Sequence, residues 1–243
     1  MDGALVNHIF FVSLLMFGIT GIFYIVDQSI AINLEVITIL LLQFSAFLAI
    51  YTLYSKTRFK WAGYLLVASA LVFVGTFIDR MLDLNSTSFE NISDLFWTVA
   101  YILFIYAFFT FARTIFLNDT KCICVESILV SGFFMLFSYY ILTINGLFAN
   151  HAVYYIYTFL SIILFTLAFY VYRGSKYGLL QNPILNNTVG LFAAAALVLA
   201  IYSMLDGYLK INGLFFENRW VYSLYMLFYV LLTQAFIRMQ EMI

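Results

Sequence analysis

Two aspartates, Asp79 and Asp206, lie near the ends of long apolar stretches in which charged residues are otherwise rare. An ionisable side chain in such a stretch is costly unless it faces protein or water, so both residues indicate a functional site. Two carboxyls in one pocket can divide the roles of acid and base between them. Asp83 follows Asp79 by one helical turn, and its like charge favours a shared proton if both enter one pocket. We therefore predict that Asp79 and Asp206 are catalytic and that Asp83 binds substrate.

The same aspartates also allow a purely structural interpretation. Asp206 and Lys210 have the i, i+4 spacing of a helical ion pair. Asp79 is followed by Arg80, whose long side chain can reach the membrane interface. Either interpretation is compatible with the residue types and their spacing.

Cysteine and histidine are too sparse to predict a metal site. Cys122 and Cys124 form one C-x-C without a second pair, and His8 and His151 are far apart in the sequence. A zinc site needs several such ligands at recognisable spacing. No phosphate-binding loop or hydrolase nucleophile motif is present either. We expect no metal and no cofactor.

The elements that must position these residues are membrane spans. The chain is 65% hydrophobic and 9% charged, whereas soluble domains carry about 25% charged residues. Its apolar blocks have about 20 residues, enough to cross a hydrocarbon core of about 30 Å. Hydropathy predicts eight spans, namely Leu5–Val26, Glu35–Tyr54, Trp61–Leu82, Leu95–Phe116, Val125–Phe148, Tyr154–Tyr172, Val189–Tyr208 and Trp220–Ile237. We therefore predict an all-α integral membrane protein with one membrane domain, residues 1–243, and no module that binds nucleic acid.

Basic residues predict the orientation of these spans. With eight spans, both termini share one side of the membrane with the connections after the second, fourth and sixth spans. Eight basic residues fall on that side, namely Lys56, Arg58, Lys60, Arg113, Lys121, Arg173, Lys176 and Arg238. Three fall on the other side, namely Arg80, Lys210 and Arg219. Because Lys and Arg accumulate on the cytoplasmic side, we expect both termini to be cytoplasmic.

Acidic residues have the opposite distribution. Eight of them fall at the outer ends of spans or in outer connections, namely Asp27, Glu35, Asp79, Asp83, Glu90, Asp94, Asp206 and Glu217. An outer surface with this excess of negative charge attracts cations or positively charged head groups. The alternative is that the acids were simply left outside when the bases were sorted inward.

An internal repeat relates the two aspartates. At a shift of 127 residues, the stretch 79–91 matches the stretch 206–218 with six identities in thirteen positions. Four of the matched positions are polar or charged, which apolar composition does not explain. We predict two parallel four-helix repeats, approximately residues 1–117 and 118–243. An axis along the membrane normal would bring the third and seventh helices to equivalent places, so that Asp79 and Asp206 face one cavity.

Three stretches resemble the YhhN family of lysoplasmalogenases. They are Leu71–Asp79, which ends in the first aspartate, Ala100–Tyr106 in the fourth span, and Tyr225–Ile237 in the last span. The layout of eight spans, with aspartates at the ends of the third and the seventh, is also similar to that family. The resemblance covers most of the chain in layout and a handful of residues in motif.

This chain differs from the family pattern at three positions. The family usually has glycine before the first aspartate, serine before the second, and histidine in the fourth helix. Here these positions hold Ile78, Leu205 and Tyr101. The resemblance therefore implies a role in substrate binding for Tyr101 in place of the histidine.

The resemblance implies hydrolysis of a lysophospholipid vinyl ether to an aldehyde and a glycerophospho head group. One aspartate would protonate the alkene carbon, and the other would stabilise the oxocarbenium ion and activate water, in an order that the sequence does not assign. Lys210 and Arg219 would hold the phosphate. Glu90 or Glu217 would bind an ammonium head group. Membrane lipids and a lysophospholipid ligand are the implied partners.

Two other classes of function fit the same sequence. A membrane sensor would receive a signal at the acidic outer face and pass it to a membrane-protein partner. A transporter would be built from the two repeat halves, with a site near the middle of the membrane. No charged residue is predicted at that depth, which disfavours transport.

Overall fold

The computed structural model describes residues 3–82, 92–115, 121–143, 152–177 and 183–241. Within these ranges the chain forms eight helices that are long and apolar enough to cross a membrane. They are α1 (Gly3–Val26), α2 (Gln28–Thr57), α3 (Lys60–Leu82), α4 (Ile92–Ile115), α5 (Lys121–Thr143), α6 (Ala152–Tyr177), α7 (Pro183–Ile211) and α8 (Tyr222–Gln240). A short 3-10 helix, Phe216–Val221, precedes α8. The prediction of a multi-pass helical membrane protein with eight spans is confirmed.

The helices begin and end within about five residues of the predicted spans, except that α7 begins at Pro183 instead of Val189 and that α2 also begins early. This helix begins at Gln28, so that Glu35 lies two turns inside it rather than at its end. Asp27 separates α1 from α2 with an extended backbone, and its carboxylate accepts hydrogen bonds from the backbone N–H and the hydroxyl of Ser29. These hydrogen bonds lower the pKa of the Asp27 carboxyl, because they favour its charged form. An N-cap of this kind begins a helix without regard to the apolar pattern.

Six helices form a closed ring. Around it, α2 packs on α3, α3 on α4, α4 on α6, α6 on α7, α7 on α8, and α8 on α2. The other two helices lie outside, α1 against α2 and α8, and α5 against α6 and α7. Their outward faces carry exposed apolar side chains such as Phe11 and Leu136. Such faces suit contact with lipid.

The two ends of the ring differ in their packing. We call the end that contains the start of α4 and the end of α7 the distal end, and the opposite one, nearer to the chain termini, the terminal end. Aromatic side chains fill the ring in its terminal half, where the ring centroid of Phe192 lies 5.5 Å from that of Phe108 and 4.9 Å from that of Phe236. Phe192 and Phe236 are fully buried. The distal half instead encloses a cavity.

Candidate functional site

The cavity in the distal half has a volume of about 400 Å³ and is lined by side chains of all six ring helices. On α4 the lining runs from Ser93 to Phe104, which is about 16 Å at roughly 1.5 Å per residue. Polar groups concentrate towards the distal end, whereas Phe104, Leu199 and Phe228 line the deeper part. The cavity therefore extends from the membrane boundary towards the middle of the bundle.

Five of the residues predicted for the site line this one cavity, namely Asp79, Tyr101, Asp206, Lys210 and Arg219. They come from α3, α4, α7 and the 3-10 helix before α8. Asp83 and Glu90 lie outside the described residues, and so does the side chain of Glu217. The structure thus brings together the predicted residues that it describes, while their chemical roles stay a prediction.

Asp206 and Lys210 form the i, i+4 ion pair that their spacing allows. The Nζ of Lys210 lies 2.9 Å from Oδ2 of Asp206. The ammonium also lies over two aromatic rings, 4.9 Å from the ring centroid of Phe215 and 5.6 Å from that of Tyr154. These contacts hold the ammonium of Lys210 at the wall of the cavity. The ion pair that the structural interpretation predicts is therefore present, and its presence is compatible with a functional role for Asp206.

Arg219 is held by a residue that the sequence did not connect with the site. Its Nη2 donates to Oε1 of Glu35 at 3.3 Å, and the hydroxyl of Tyr24 donates to Oε2 of the same carboxylate at 2.6 Å. Glu35 is fully buried. Arg219 therefore reaches the cavity with one carboxylate already bound, and it connects the cavity to α1 and α2.

Asp94 is a further carboxylate in the lining. It lies in the first turn of α4 and is 6% exposed. The hydroxyl of Tyr157 donates to its Oδ1 at 2.7 Å. The sequence places Asp94 only among the acids of the outer face. An acid in the first turn of a helix is common for reasons of the helix dipole alone.

Two clusters of hydroxyl and amide groups lie among the same helices. Near the middle of α2, Nε2 of Gln43 lies 2.9 Å from Oγ1 of Thr76, 3.2 Å from the hydroxyl of Tyr225 and 3.4 Å from that of Tyr229. In the other cluster, Ser161 donates to the hydroxyl of Tyr101 at 3.2 Å and lies 2.8 Å from the hydroxyl of Ser203. The first cluster could have been found from the sequence, because Gln43 lies in an otherwise apolar span and amide side chains in such spans form hydrogen bonds between helices.

Several polar atoms at the cavity have no hydrogen-bond partner in the described part of the chain. Four buried polar atoms of lining residues lack a hydrogen-bond partner among the described residues, namely Ser93 Oγ, Trp97 Nε1, Asp206 Oδ1 and Arg219 Nε. Buried polar groups in native proteins are nearly always satisfied by protein, water or ligand. This set therefore provides donors and an acceptor for a polar ligand.

Acidic side chains outnumber basic ones in the described lining. Three carboxylates line the cavity, those of Asp79, Asp94 and Asp206, against the two cations Lys210 and Arg219. The buried carboxylate of Glu35 adds a further negative charge beside Arg219. This excess has the sign that the sequence predicts for the outer end of the bundle.

Comparison with known proteins does not assign this cavity. No protein-family model, no curated protein and no solved structure matches the chain. In the described part of the chain, no three His, Cys, Asp or Glu side chains come close enough to hold a metal ion. The function is therefore argued from the geometry of the cavity.

Proposed function

We propose that the cavity is the active site of a membrane lipid hydrolase that cleaves lysophospholipid vinyl ethers. The observation that carries the proposal is that carboxylates from two different helices, Asp79 of α3 and Asp206 of α7, line one cavity with cations at its distal end and apolar side chains below. Acid and base groups on opposite walls are what a proton-transfer reaction requires. The arrangement also supports the YhhN-like reaction inferred from the sequence.

The reaction needs one proton donor and one ionised carboxylate. A carboxylic acid protonates the alkene carbon that is not bonded to oxygen, which leaves an oxocarbenium ion. The ionised carboxylate stabilises this cation and takes a proton from the attacking water. Water adds to the carbon bonded to oxygen, and the resulting hemiacetal breaks down to an aldehyde and the glycerol hydroxyl of the head group.

The contacts suggest which aspartate takes which role. Asp206 is bound to the ammonium of Lys210, so we assign it the role of the ionised carboxylate, with its second oxygen left for the substrate. Asp79 is then the proton donor. The phosphate would lie between Lys210 and Arg219, and the hydrocarbon chain would extend past Phe104 towards the middle of the bundle.

An assay of aldehyde release tests this proposal. The purified protein would be given a choline lysoplasmalogen in lipid nanodiscs, and the variants would be Asp79→Asn and Asp206→Asn. Each variant should lower kcat by about 100-fold or more, the range expected for loss of a general acid or base. Asp27→Asn is the matched control, because Asp27 lies in the exposed turn between α1 and α2. Unchanged turnover in both cavity variants, or no aldehyde from the unaltered protein, would overturn the assignment.

A second candidate function is ligand sensing without turnover. It is favoured by the chain of contacts from Arg219 through Glu35 to Tyr24, which joins the cavity to the outlying helix α1. An anionic ligand that draws Arg219 away from Glu35 would alter this junction and signal to a membrane-protein partner. Saturable ligand binding without product would favour this function. Transport has weaker support, because Phe108, Phe192 and Phe236 pack across the ring below the cavity.

We further propose that residues 1–117 and 118–243 are parallel repeats. The order of helices in the ring supports this proposal. Helices α2, α3 and α4 follow one another around the ring, as α6, α7 and α8 do. The contact between α4 and α6 then corresponds to the contact between α8 and α2. Thr76 and Ser203, like Asp79 and Asp206, are 127 residues apart and line the cavity. The two halves would then supply one carboxylate each.

A further inference from the structure

The carboxylate of Asp94 is buried, and no described cation forms an ion pair with it; the ammonium of Lys210, which pairs with Asp206, attracts it only from beyond ion-pair distance. Its partner is the neutral hydroxyl of Tyr157. Among the residues that the structure describes, the ion pairs at this end of the bundle join Lys210 to Asp206 and Arg219 to Glu35, and none includes Asp94. The N-terminus of α4 supplies part of the compensation through its dipole. A buried carboxylate without a close ion pair makes this corner of the cavity a candidate binding site, and a cation is the ligand whose charge matches it.

Three aromatic side chains pack on one another in the wall of the same corner of the cavity. Trp97 and Tyr101 follow Asp94 on α4 at i+3 and i+7, which places all three on one face of the helix. Tyr157 faces them from α6, with its ring centroid 6.3 Å from that of Trp97 and 5.8 Å from that of Tyr101. All four residues line the cavity. We call this group, Asp94, Trp97, Tyr101 and Tyr157, the Asp94 cage.

We propose that the Asp94 cage binds the ammonium group of an organic cation, with a trimethylammonium as the best fit. The inference uses the cavity of the proposed hydrolase and names the head group that this cavity selects, but it does not require that hydrolysis occurs. Aromatic faces attract cations through their quadrupole, and cages of Trp and Tyr are how proteins bind quaternary ammonium groups. The carboxylate adds the matching charge.

Other cations fit this cage less well. A calcium or magnesium ion needs six or so oxygen ligands, whereas Asp94 supplies one carboxylate and its neighbours supply mostly ring carbon. A primary ammonium is strongly hydrated and has three N–H donors, so it needs several hydrogen-bond acceptors around it. A quaternary ammonium has no N–H to satisfy. The unpartnered N–H of Trp97 can donate to an oxygen attached near the ammonium, such as the hydroxyl of choline or a phosphate.

Two sources supply this chemistry, a choline lipid and a free amine. A choline-headed lysophospholipid would place its ammonium in the cage and its phosphate near Lys210 and Arg219. Free choline would occupy the cage alone. The same carboxylate and aromatic rings bind the ammonium group of both molecules. The rest of the cavity then determines whether the ammonium belongs to a lipid or to a free amine.

Binding to the purified protein in a maltoside detergent, which carries no choline group, tests the proposal. Tetramethylammonium and choline would be titrated by calorimetry and by tryptophan fluorescence. We expect saturable binding in which the neutral isostere of choline, 3,3-dimethylbutanol, binds at least about tenfold more weakly. Asp94→Asn keeps an acceptor for Tyr157 and removes the charge, so it should weaken choline binding by about tenfold or more, as should Trp97→Leu. Asp27→Asn should bind choline like the unaltered protein.

The outcomes separate the cage from the hydrolase. Three results would each overturn the cage: equal binding of choline and its neutral isostere, unchanged choline affinity in Asp94→Asn, or no saturable binding at all. The comparison of choline with its isostere uses only the unaltered protein, so it does not depend on whether a variant folds. Asp79→Asn should stop aldehyde release while it weakens choline binding far less than Asp94→Asn does, so that loss of catalysis alone leaves the cage standing. Displacement of choline by lysophosphatidylcholine would identify a lipid head group, and its failure to displace choline would identify a free amine.

Discussion

The buried charge of Glu35 is neutralised by a residue that is distant in sequence. Glu35 and Arg219 are 184 positions apart, and their contact is 3.3 Å long. The resemblance to the YhhN family implies that Arg219 holds a phosphate, and the structure adds that Arg219 already donates to Glu35. At the residue scale, the carboxylate therefore positions the cation that the proposed substrate would meet.

Glu35→Ala should destabilise the fold strongly. Removing one partner of a buried ion pair leaves an unpaired charge and costs about 3 kcal/mol or more, and here the hydroxyl of Tyr24 loses its acceptor as well. Glu35→Gln keeps an acceptor for Tyr24 and should cost less. The measurement is thermal unfolding in detergent, with the exposed Glu241 changed to Ala as control. Equal stability of all three variants would show that the pair contributes nothing to the fold.

At the scale of elements, the close approach of α3 and α4 places the cage in the cavity. A Cβ atom added at Gly75 would lie 2.9 Å from Cδ1 and Nε1 of Trp97 and 3.1 Å from Cβ of Phe96. Such distances are below ordinary contact, so the absence of a side chain at this position lets the indole of Trp97 pack between the helices. The glycine on α3 thus determines where an aromatic wall of the site on α4 lies.

Gly75→Ala should displace the indole of Trp97. We expect a loss of stability of about 1–3 kcal/mol from overpacking, a shift in tryptophan emission, and a weaker affinity for choline. Gly132→Ala is the control, because nothing lies within 4 Å of a Cβ at that position. Native emission and native affinity in Gly75→Ala would mean that the indole does not depend on this packing.

At the scale of the whole molecule, charge and shape are organised along one axis. The cavity and its carboxylates lie at the distal end, while the terminal half of the ring is filled by aromatic side chains. The sequence has eight basic residues on the side of the termini against three on the other. This asymmetry predicts that the cavity faces away from the cytoplasm.

Reporter fusions test the orientation. A reporter that is active only in the cytoplasm should be active after Ile243 and in the connection between α4 and α5, and inactive in the connection between α3 and α4. Exchanging the basic residues near α2 and α3, Lys56, Arg58 and Lys60, for Gln should weaken this bias, since the rule depends on Lys and Arg. A C-terminal reporter that is active outside the cytoplasm would make the predicted orientation wrong.

The sequence by itself determined the class of protein and the number of spans, and it singled out two aspartates that line one cavity in the structure. These follow from local properties, since about 20 apolar residues are enough to cross a bilayer and an ionisable residue within them is conspicuous. It misplaced the start of α2, because the N-cap at Asp27 begins the helix before the apolar stretch does. It also treated Asp94 as one acid among many.

Only the tertiary structure decided which side chains meet. Asp94 bonds to Tyr157 across 63 residues, and Gln43 meets Tyr225 across 182. The helices of this bundle are apolar on all sides, so hydropathy does not distinguish a face that packs on protein from one that contacts lipid. Helix association in a membrane depends instead on shape and on hydrogen bonds between particular residues. The order of helices around the ring, and with it the Asp94 cage, therefore emerges from packing that no single segment of the sequence contains.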